Sequence, residues 1–369
     1  MKLLSQLVIA GLIATTATTG FAQEQNIAEN ATTSEVVEAT QSEEATKAVK
    51  AEKQNAQDIL TIKGLVRYDI RRDNPTGKKH ETKKSLLRTR LEPTLNLGNG
   101  WKIKNRMDYD INYKDRDKDH FYNRMLYLQG PAFGGTISLG KVDYADFANM
   151  DIAYGMVYDD YIKGGKFVYT DSKTKAIYTT AIGNFDSPYN ASSNGSMANY
   201  PQTDAMHYVG LQAEYPASSK LNTGIAYHNI RSGELDETQQ IFELAGEYKF
   251  DSNVKLGGAY AVSTLDHADY GLKTSGQENA YVVQLNYKGA KRTVPNTFGV
   301  YAAYKNLGQL ATFVPTYTNA FVGEQGYEIG TKYVFAPNFT GEVSYFNGQS
   351  IDNHSKDKTR WFGRLEYRF

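Results

Sequence analysis

From Ile59 to Phe369 the chain keeps a two-residue hydrophobic period, and no other feature constrains its fold as much. Phe242, Leu244, Gly246, Tyr248 and Phe250 alternate with Glu243, Ala245, Glu247 and Lys249. Tyr281, Val283, Leu285 and Tyr287 alternate with Val282, Gln284, Asn286 and Lys288. Tyr327, Ile329, Thr331, Tyr333 and Phe335 alternate with Glu328, Gly330, Lys332 and Val334. One face is apolar and the other polar or small, as strands with one buried face require. Sixteen such runs can be drawn, at 60–71, 84–97, 100–113, 119–129, 135–144, 164–172, 175–186, 205–215, 220–231, 238–250, 254–265, 279–288, 297–305, 325–335, 339–349 and 359–369. Each spans about ten residues, the length a tilted strand needs to cross a bilayer.

The connections alternate in length. Short ones fall at 98–100, 130–134, 171–174, 216–220, 251–253 and 336–338, with 289–296 somewhat longer. Long polar ones fall at 72–83, 145–163, 187–204, 232–237, 266–278, 306–324 and 350–358, with 114–118 the shortest of that class. An even strand number with short turns at one end and long loops at the other predicts an all-β fold, a 16-stranded antiparallel transmembrane β-barrel. Closure leaves no sheet edge for lipid to meet. Pro93 removes a ladder donor and predicts a bulge in the second strand.

A soluble β-sandwich also alternates, but it has no need of aromatic residues at strand ends. Here Trp101, Tyr113, Tyr215, Tyr248, Phe250, Tyr287, Tyr333, Phe335, Tyr367 and Phe369 gather there, as membrane girdles do. The 28 Tyr and 32 Gly fit many strands with aromatic ends and tight turns. The mean hydropathy is negative. That does not oppose the reading, because a barrel strand shows lipid only every second residue.

The N-terminus places the chain in the secretory route. Met1-Lys2 is a short positive start, and Leu3 to Ala14 is apolar but for Ser5, Gln6 and Gly11. Small residues Gly20 and Ala22 precede the expected cleavage, so residues 1–22 read as a signal peptide. The apolar run is too short for a spanning helix, which needs roughly 20 residues. Residues 23–58 hold 8 acids and 3 lysines, net −5, with no aromatic, Gly or Pro. They read as a low-complexity periplasmic spacer, partly helical toward Gln57 and otherwise disordered. An oligomerisation stalk or a contact with the cell wall is the alternative role for that segment. The chain has no cysteine, which removes thiol catalysis and Cys-based metal sites.

Residues 59–369 carry net charge +4. Between Lys63 and Arg106 stand 13 basic residues against 4 acids. By alternation Lys63, Arg67 and Arg71 share a face, as do Arg88 and Arg90, and Lys102, Lys104 and Arg106. The opposite faces, with Ile62, Val66, Leu91, Leu95, Ile103 and Met107, are apolar. A lysine or arginine facing lipid at mid-depth costs about 2–4 kcal/mol, so the basic faces point inward.

Two stretches carry a family resemblance. The last run, Trp361 to Phe369, alternates aromatic and apolar residues with polar ones and stops on Phe. Tyr122 to Gly130 then Phe133 to Lys141 is an Arg-bearing strand turning through glycines into a GTISLGK strand. Across about residues 59–369 the chain resembles the general porins, 16-stranded diffusion channels of Gram-negative outer membranes. The resemblance implies that Tyr367 and Phe369 belong to a signal read by the barrel-assembly machinery. It also implies that the third long loop, 145–163, folds into the lumen and narrows it. Phe147, Met150, Ile152, Tyr154, Met156, Val157, Tyr158 and Tyr161 make that segment too apolar for a freely solvated loop. Asp146, Asp151, Asp159 and Asp160 would then face a basic wall of Lys63, Arg67, Arg88, Arg90, Arg106 and Arg124. Of these, Arg90 and Arg124 match the porin ladder best. The loop lacks the PEFGG-type motif, and 114–118 is too short for the subunit latch of enterobacterial porins. A homotrimer would therefore form through barrel walls.

The expected function is passive diffusion of small hydrophilic solutes and ions, with no chemical step and no cofactor. Outer-membrane lipid and lipopolysaccharide are the expected surroundings. The rivals are a substrate-specific, anion-selective porin, a barrel enzyme, and an adhesin or phage receptor. The sequence holds six His but no GxSxG elbow, no HExxH and no Cys/His metal spacing. Its basic residues lie on alternating strands and not on an exposed helix, so nucleic-acid binding is unsupported.

Overall fold

The computed structural model describes residues 59–75, 81–114, 118–185, 206–231, 238–352, 354 and 357–369. The signal peptide and spacer expected over 1–58 lie outside them. Sixteen strands follow in chain order: β1 Leu60–Pro75, β2 Glu81–Gly98, β3 Trp101–Asn112, β4 His120–Ala132, β5 Gly135–Ala145, β6 Asp159–Thr170, β7 Ile177–Phe185 and β8 Met206–Pro216. Then come β9 Leu221–Arg231, β10 Gln239–Lys249, β11 Val254–Ser263, β12 Asn279–Lys288, β13 Phe298–Leu307, β14 Glu324–Ala336, β15 Phe339–Ser350 and β16 Asp357–Arg368. Each pairs antiparallel with its neighbours, and β1 pairs with both β2 and β16, so the sheet closes into a barrel. Among the described residues, one 3-10 turn, Ser275–Glu278, is the remaining regular element.

The closing seam between β1 and β16 is extended by the last residue. Phe369 N–H donates to the Gly64 carbonyl at 3.0 Å, and Gly64 N–H donates to the Phe369 carbonyl at 2.9 Å. The ring of Phe369 lies over Gly64, where an added Cβ would sit 2.5 Å from its Cζ. The position is therefore glycine because the aromatic end needs the space.

The turns at the terminus end are tight for readable reasons. Asn99 and Gly100 both have positive φ, 50° and 81°, the geometry that twists two strands into a hairpin. Asp171 accepts from the N–H groups of Lys173 and Thr174, and these bonds hold its carboxylate below the usual range. Asp251 closes its turn in the same way on Asn253 and Val254.

Side chains divide as the period predicts. Ile62, Val66, Leu91, Leu95, Ile103, Leu211, Ile225, Leu244, Leu285, Ile329 and Leu365 are exposed on the outer face. Tyr260 and Tyr281 are cross-strand partners, Tyr281 stacks on Tyr304 at 5.9 Å, and Tyr304 meets Tyr327 edge-on at 4.8 Å. These rings belt the outer wall near the end with long connections. The buried apolar cluster lies inside the barrel instead, where Phe147, Met150, Met156, Val157, Phe313 and Val314 meet inner-face residues of the wall.

Three expectations are corrected. The expected bulge does not fall at Pro93: β2 and β3 keep one register from Leu91↔Met107 to Thr94↔Lys104, and the register shift of β2 comes between Asn96 and Gly98. β6 begins at Asp159, not at 164. The connection 306–324 is not a solvated loop; most of residues 308–323 are buried.

Candidate functional site

The inner face of β1–β4 and β16 is a lattice of ion pairs set by strand register. Arg90 stands directly across from Asp108, Arg88 from Asp110, and Asp69 from Arg364. Each pair is bidentate: Arg90 reaches Asp108 at 2.7 and 2.9 Å, Arg88 reaches Asp110 at 2.6 and 2.6 Å, and Arg364 reaches Asp69 at 2.7 and 3.1 Å. Asp69 also holds Arg67 at 3.5 Å and Lys84 at 3.3 Å. Arg106 pairs with Glu92 at 2.6 Å. Fork-on-carboxylate bonding of this kind fixes direction as well as charge. Within this lattice seven cations (Arg67, Lys84, Arg88, Arg90, Arg106, Arg124, Arg364) are paired with four wall carboxylates (Asp69, Glu92, Asp108, Asp110), so bases outnumber acids there. Lys63, exposed at the terminus end of the same face, makes no ion pair among the described residues.

Arg124 owes its place to a bulge. The β3–β4 register passes from Arg106↔Met125 to Met107↔Asn123, so Arg124 is the extra residue. The inserted residue turns inward beside Met125, which a regular strand would forbid. Its guanidinium lies 4.0 Å from the Tyr122 ring centroid and 3.3 Å from Asp108.

Opposite this wall stands a hairpin that has left the sheet. β5 pairs with β4 only as far as Lys141, and β6 pairs with β7 only from Ile162 onward. Residues 143–145 and 159–161 therefore have no strand partner in the barrel wall other than each other. The intervening 146–158 packs on the inner face of β8–β11. Gln212 accepts from Phe147 N–H at 3.0 Å, Glu214 from Asn149 N–H at 3.0 Å, and Glu247 Oε1 from Asp151 and Ile152 N–H at 2.6 and 2.5 Å. Gly224 leaves room for the Phe147 ring, which a Cβ would meet at 2.6 Å. Burying Phe147 and Met156 stabilises the contact by about 1.5–3 kcal/mol each.

The four acids expected on this segment separate. Asp146 is fully buried and faces its own loop, accepting from Met156 N–H at 2.9 Å and Tyr158 N–H at 2.6 Å. Burial pushes its carboxyl up to about 7. Asp151 pairs with Lys255 at 3.0 Å, away from the basic wall. Asp159 and Asp160 stand on β6. Asp159 accepts from the Tyr154 hydroxyl at 3.0 Å, while Asp160 lies within the fields of Arg124 and Lys141. Direct contact between hairpin and wall comes from two residues outside the expected set. Asp143 is 3.7 Å from Arg106, and the Tyr161 hydroxyl is 3.3 Å from it.

Sequence reasoning also missed Gln212, Glu214 and Glu247 as loop anchors. Glu243 and Glu247 were visible as acids on the face opposite Phe242 and Leu244, but nothing in a strand says what crosses the lumen to meet it. Among the described residues, one group of metal-ligating types comes together, Asp266, His267 and Glu278. Its atoms are already engaged, with Glu278 Oε1 2.6 Å from His267 Nδ1 and 2.9 Å from His267 N–H. His228 is walled in by Tyr208 at 2.8 Å and Glu243 at 3.5 Å, a buried structural arrangement.

The barrel is similar to solved structures of other outer-membrane proteins. A mutant of the Rhodopseudomonas blastica porin superposes with a TM-score of 0.54 at 14% identity, covering 84% of this chain and 100% of that one. A loop L8 deletion mutant of OmpT, an outer-membrane protein of Vibrio cholerae, gives 0.53 at 15% identity over 84% and 99%. The trimer form of in-vitro folded OmpT gives 0.52 at 15% identity over 84% and 99%. At such identities the likeness is one of fold. No curated protein matches the sequence. The family description that matches is Gram-negative porin, over residues 45–369. With that match spanning the whole barrel, the chain belongs to the Gram-negative porin family and its place is the outer membrane.

Proposed function

We propose that the protein is a passive channel for small hydrophilic solutes and ions, with a weak preference for anions. The observation that carries this reading is the excess of basic over acidic side chains, seven against four, in the ion-paired lattice of the inner wall facing the Asp143–Tyr161 hairpin edge. Solutes pass between wall and hairpin. The field across that gap orients dipoles and disfavours apolar solutes, and ring charges set ion preference. Lys63, Arg67, Arg88, Arg90, Arg106 and Arg124 form the basic side. Asp143, Asp159 and Asp160 form the acidic side, with Asp146 and Asp151 fastening the loop behind it. Purified protein in a planar bilayer under a salt gradient tests the reading. A stepwise ohmic conductance with a reversal potential on the anion side is expected; no conductance, or strong cation selectivity, overturns it.

The surplus also favours a narrower version, a channel with an anion-binding site. Conductance that saturates with phosphate but not with chloride would select it. The remaining parts of the reading are a cleaved signal over 1–22, a periplasmic spacer over 23–58 reaching toward the cell wall, and Tyr367 with Phe369 as the assembly signal. A homotrimer through the barrel walls is supported by the trimer form of OmpT.

A further inference from the structure

The hairpin at 142–161 does not stand alone in the lumen. The connection between β13 and β14, residues 308–323, runs beside it and extends its backbone bonding. Phe313 N–H donates to the Val157 carbonyl at 2.9 Å, Asp159 N–H to the Val314 carbonyl at 2.8 Å, and Thr316 N–H to the Gly155 carbonyl at 2.8 Å. Tyr158 and Val314 form a parallel bridge. Gly155, at φ +59°, allows the approach, since a Cβ there would lie 3.1 Å from Thr316 Cβ. Leu310, Ala311, Thr312, Phe313, Val314 and Ala320 are buried.

The other side of the segment is tied to the barrel. Gln239 on β10 donates to the Leu310 carbonyl at 2.5 Å. Asn319 donates to Ser344 on β15 at 2.7 Å, and Arg360 on β16 donates to the Asn319 carbonyl at 2.8 Å. Lys305 on β13 lies 4.1 Å from the Tyr317 ring centroid. Phe321 takes the guanidinium of Arg360 over its ring at 4.1 Å. The hairpin is anchored on β8 and β10, and this segment on β10, β13, β15 and β16. Together they occupy the inner face from β8 round to β16 and leave the charged wall of β1–β4 opposite.

We propose that residues 308–323 are a second pore-narrowing element, which confines solutes to the side of the lumen next to β1–β4 and sets the size limit jointly with the hairpin. The inference rests on the channel reading above. A loop held by backbone bonds on one side and by four wall strands on the other is a fixed obstacle. Its removal widens the path without breaking the sheet, because its ends already meet: Gly323 N–H donates to the Leu307 carbonyl at 2.6 Å, and Leu307 pairs with Glu324.

The test compares the full chain with a variant in which 310–321 is replaced by a short Gly-Ser linker. Single-channel conductance and liposome swelling with a series of uncharged saccharides are read for both. The variant is expected to conduct about twofold more or better and to admit larger saccharides, since a wider water-filled path carries more current. Unchanged conductance and cut-off in a folded variant overturn the proposal while leaving the channel reading intact; a silent wild-type protein defeats the channel reading itself. Should the linker variant fail to fold, the cysteine-free chain allows a second measurement. Tyr158→Cys with Val314→Cys is expected to cross-link under mild oxidation in outer membranes and to keep native conductance. Failure of the pair to cross-link in the folded protein places the segment outside the lumen and overturns the proposal.

Discussion

Arg124 shows how a single residue reaches the lumen. The register jump between Arg106↔Met125 and Met107↔Asn123 turns it inward, and Asp108 receives it alongside Arg90 and Arg88. Because Asp108 keeps two other arginines, Arg124→Ala removes a lumen charge without stranding the buried carboxylate. The variant is expected to fold as wild type and to shift the reversal potential toward cations. Arg90→Ala removes the bidentate partner as well, so the double variant shifts the potential further and loses stability, as breaking a buried pair does. A reversal potential identical to wild type in both variants would remove Arg124 and Arg90 from the conduction path. Sequence alone picked out both arginines, Arg90 by alternation and resemblance and Arg124 by resemblance. It did not show that Asp108 and Asp110 neutralise much of the wall, because cross-strand register is a tertiary fact. The bulge was equally hidden, and the one expected at Pro93 is not there, the register shift of β2 falling between Asn96 and Gly98.

At the level of elements, the β5–β6 hairpin was legible in composition and misjudged in extent. Its apolar residues marked 145–163 as a segment seeking cover, but Asp159 to Lys163 already belong to β6, and Asp159 to Tyr161 have only β5 as a strand partner. Period shows that residues are extended, not that their partner strand has turned away from the wall. The fastening of the loop rests on Glu247, whose Oε1 lies within 3.3 Å of three successive N–H groups, Asp151 to Ala153. Glu247→Ala leaves those donors without their acceptor, a cost of about 1–3 kcal/mol for each buried group left unpaired. Glu247→Gln keeps one carbonyl oxygen in place and costs less. Single-channel recordings are expected to show rapid flicker and a broader spread of conductance in Glu247→Ala, with Glu247→Gln between it and wild type. Current as quiet in Glu247→Ala as in wild type would mean that Gln212, Glu214 and the apolar contacts hold the loop unaided.

On the scale of the whole molecule, the even strand count, the alternation of short and long connections and the outward apolar face were all readable. They follow from the period and from turn chemistry. The inward course of 308–323 was not, although Leu310, Phe313, Val314 and Tyr317 give it the same apolar character that marked the third connection. Composition says that a loop needs cover; only the assembled barrel says whether that cover is inside. Closure is the property to which every strand contributes, and it is completed at Gly64 and Phe369. Two backbone hydrogen bonds and one aromatic ring join the ends there. Removing Phe369 leaves Gly64 N–H and carbonyl facing lipid, where each unsatisfied group costs several kcal/mol. Gly64→Val keeps the terminal residue but drives a side chain into the Phe369 ring and the Arg90 carbonyl, 2.5 and 2.6 Å from a Cβ. Both variants are expected to lose the heat-modifiable gel shift of a closed barrel at lower temperature than wild type, and to unfold at lower urea concentration in detergent. The two changes share the seam and nothing else, so similar losses would locate the defect in closure. A large loss for the Phe369 deletion in cells, with in vitro stability equal to wild type, would instead assign Phe369 to recognition by the assembly machinery and not to the seam.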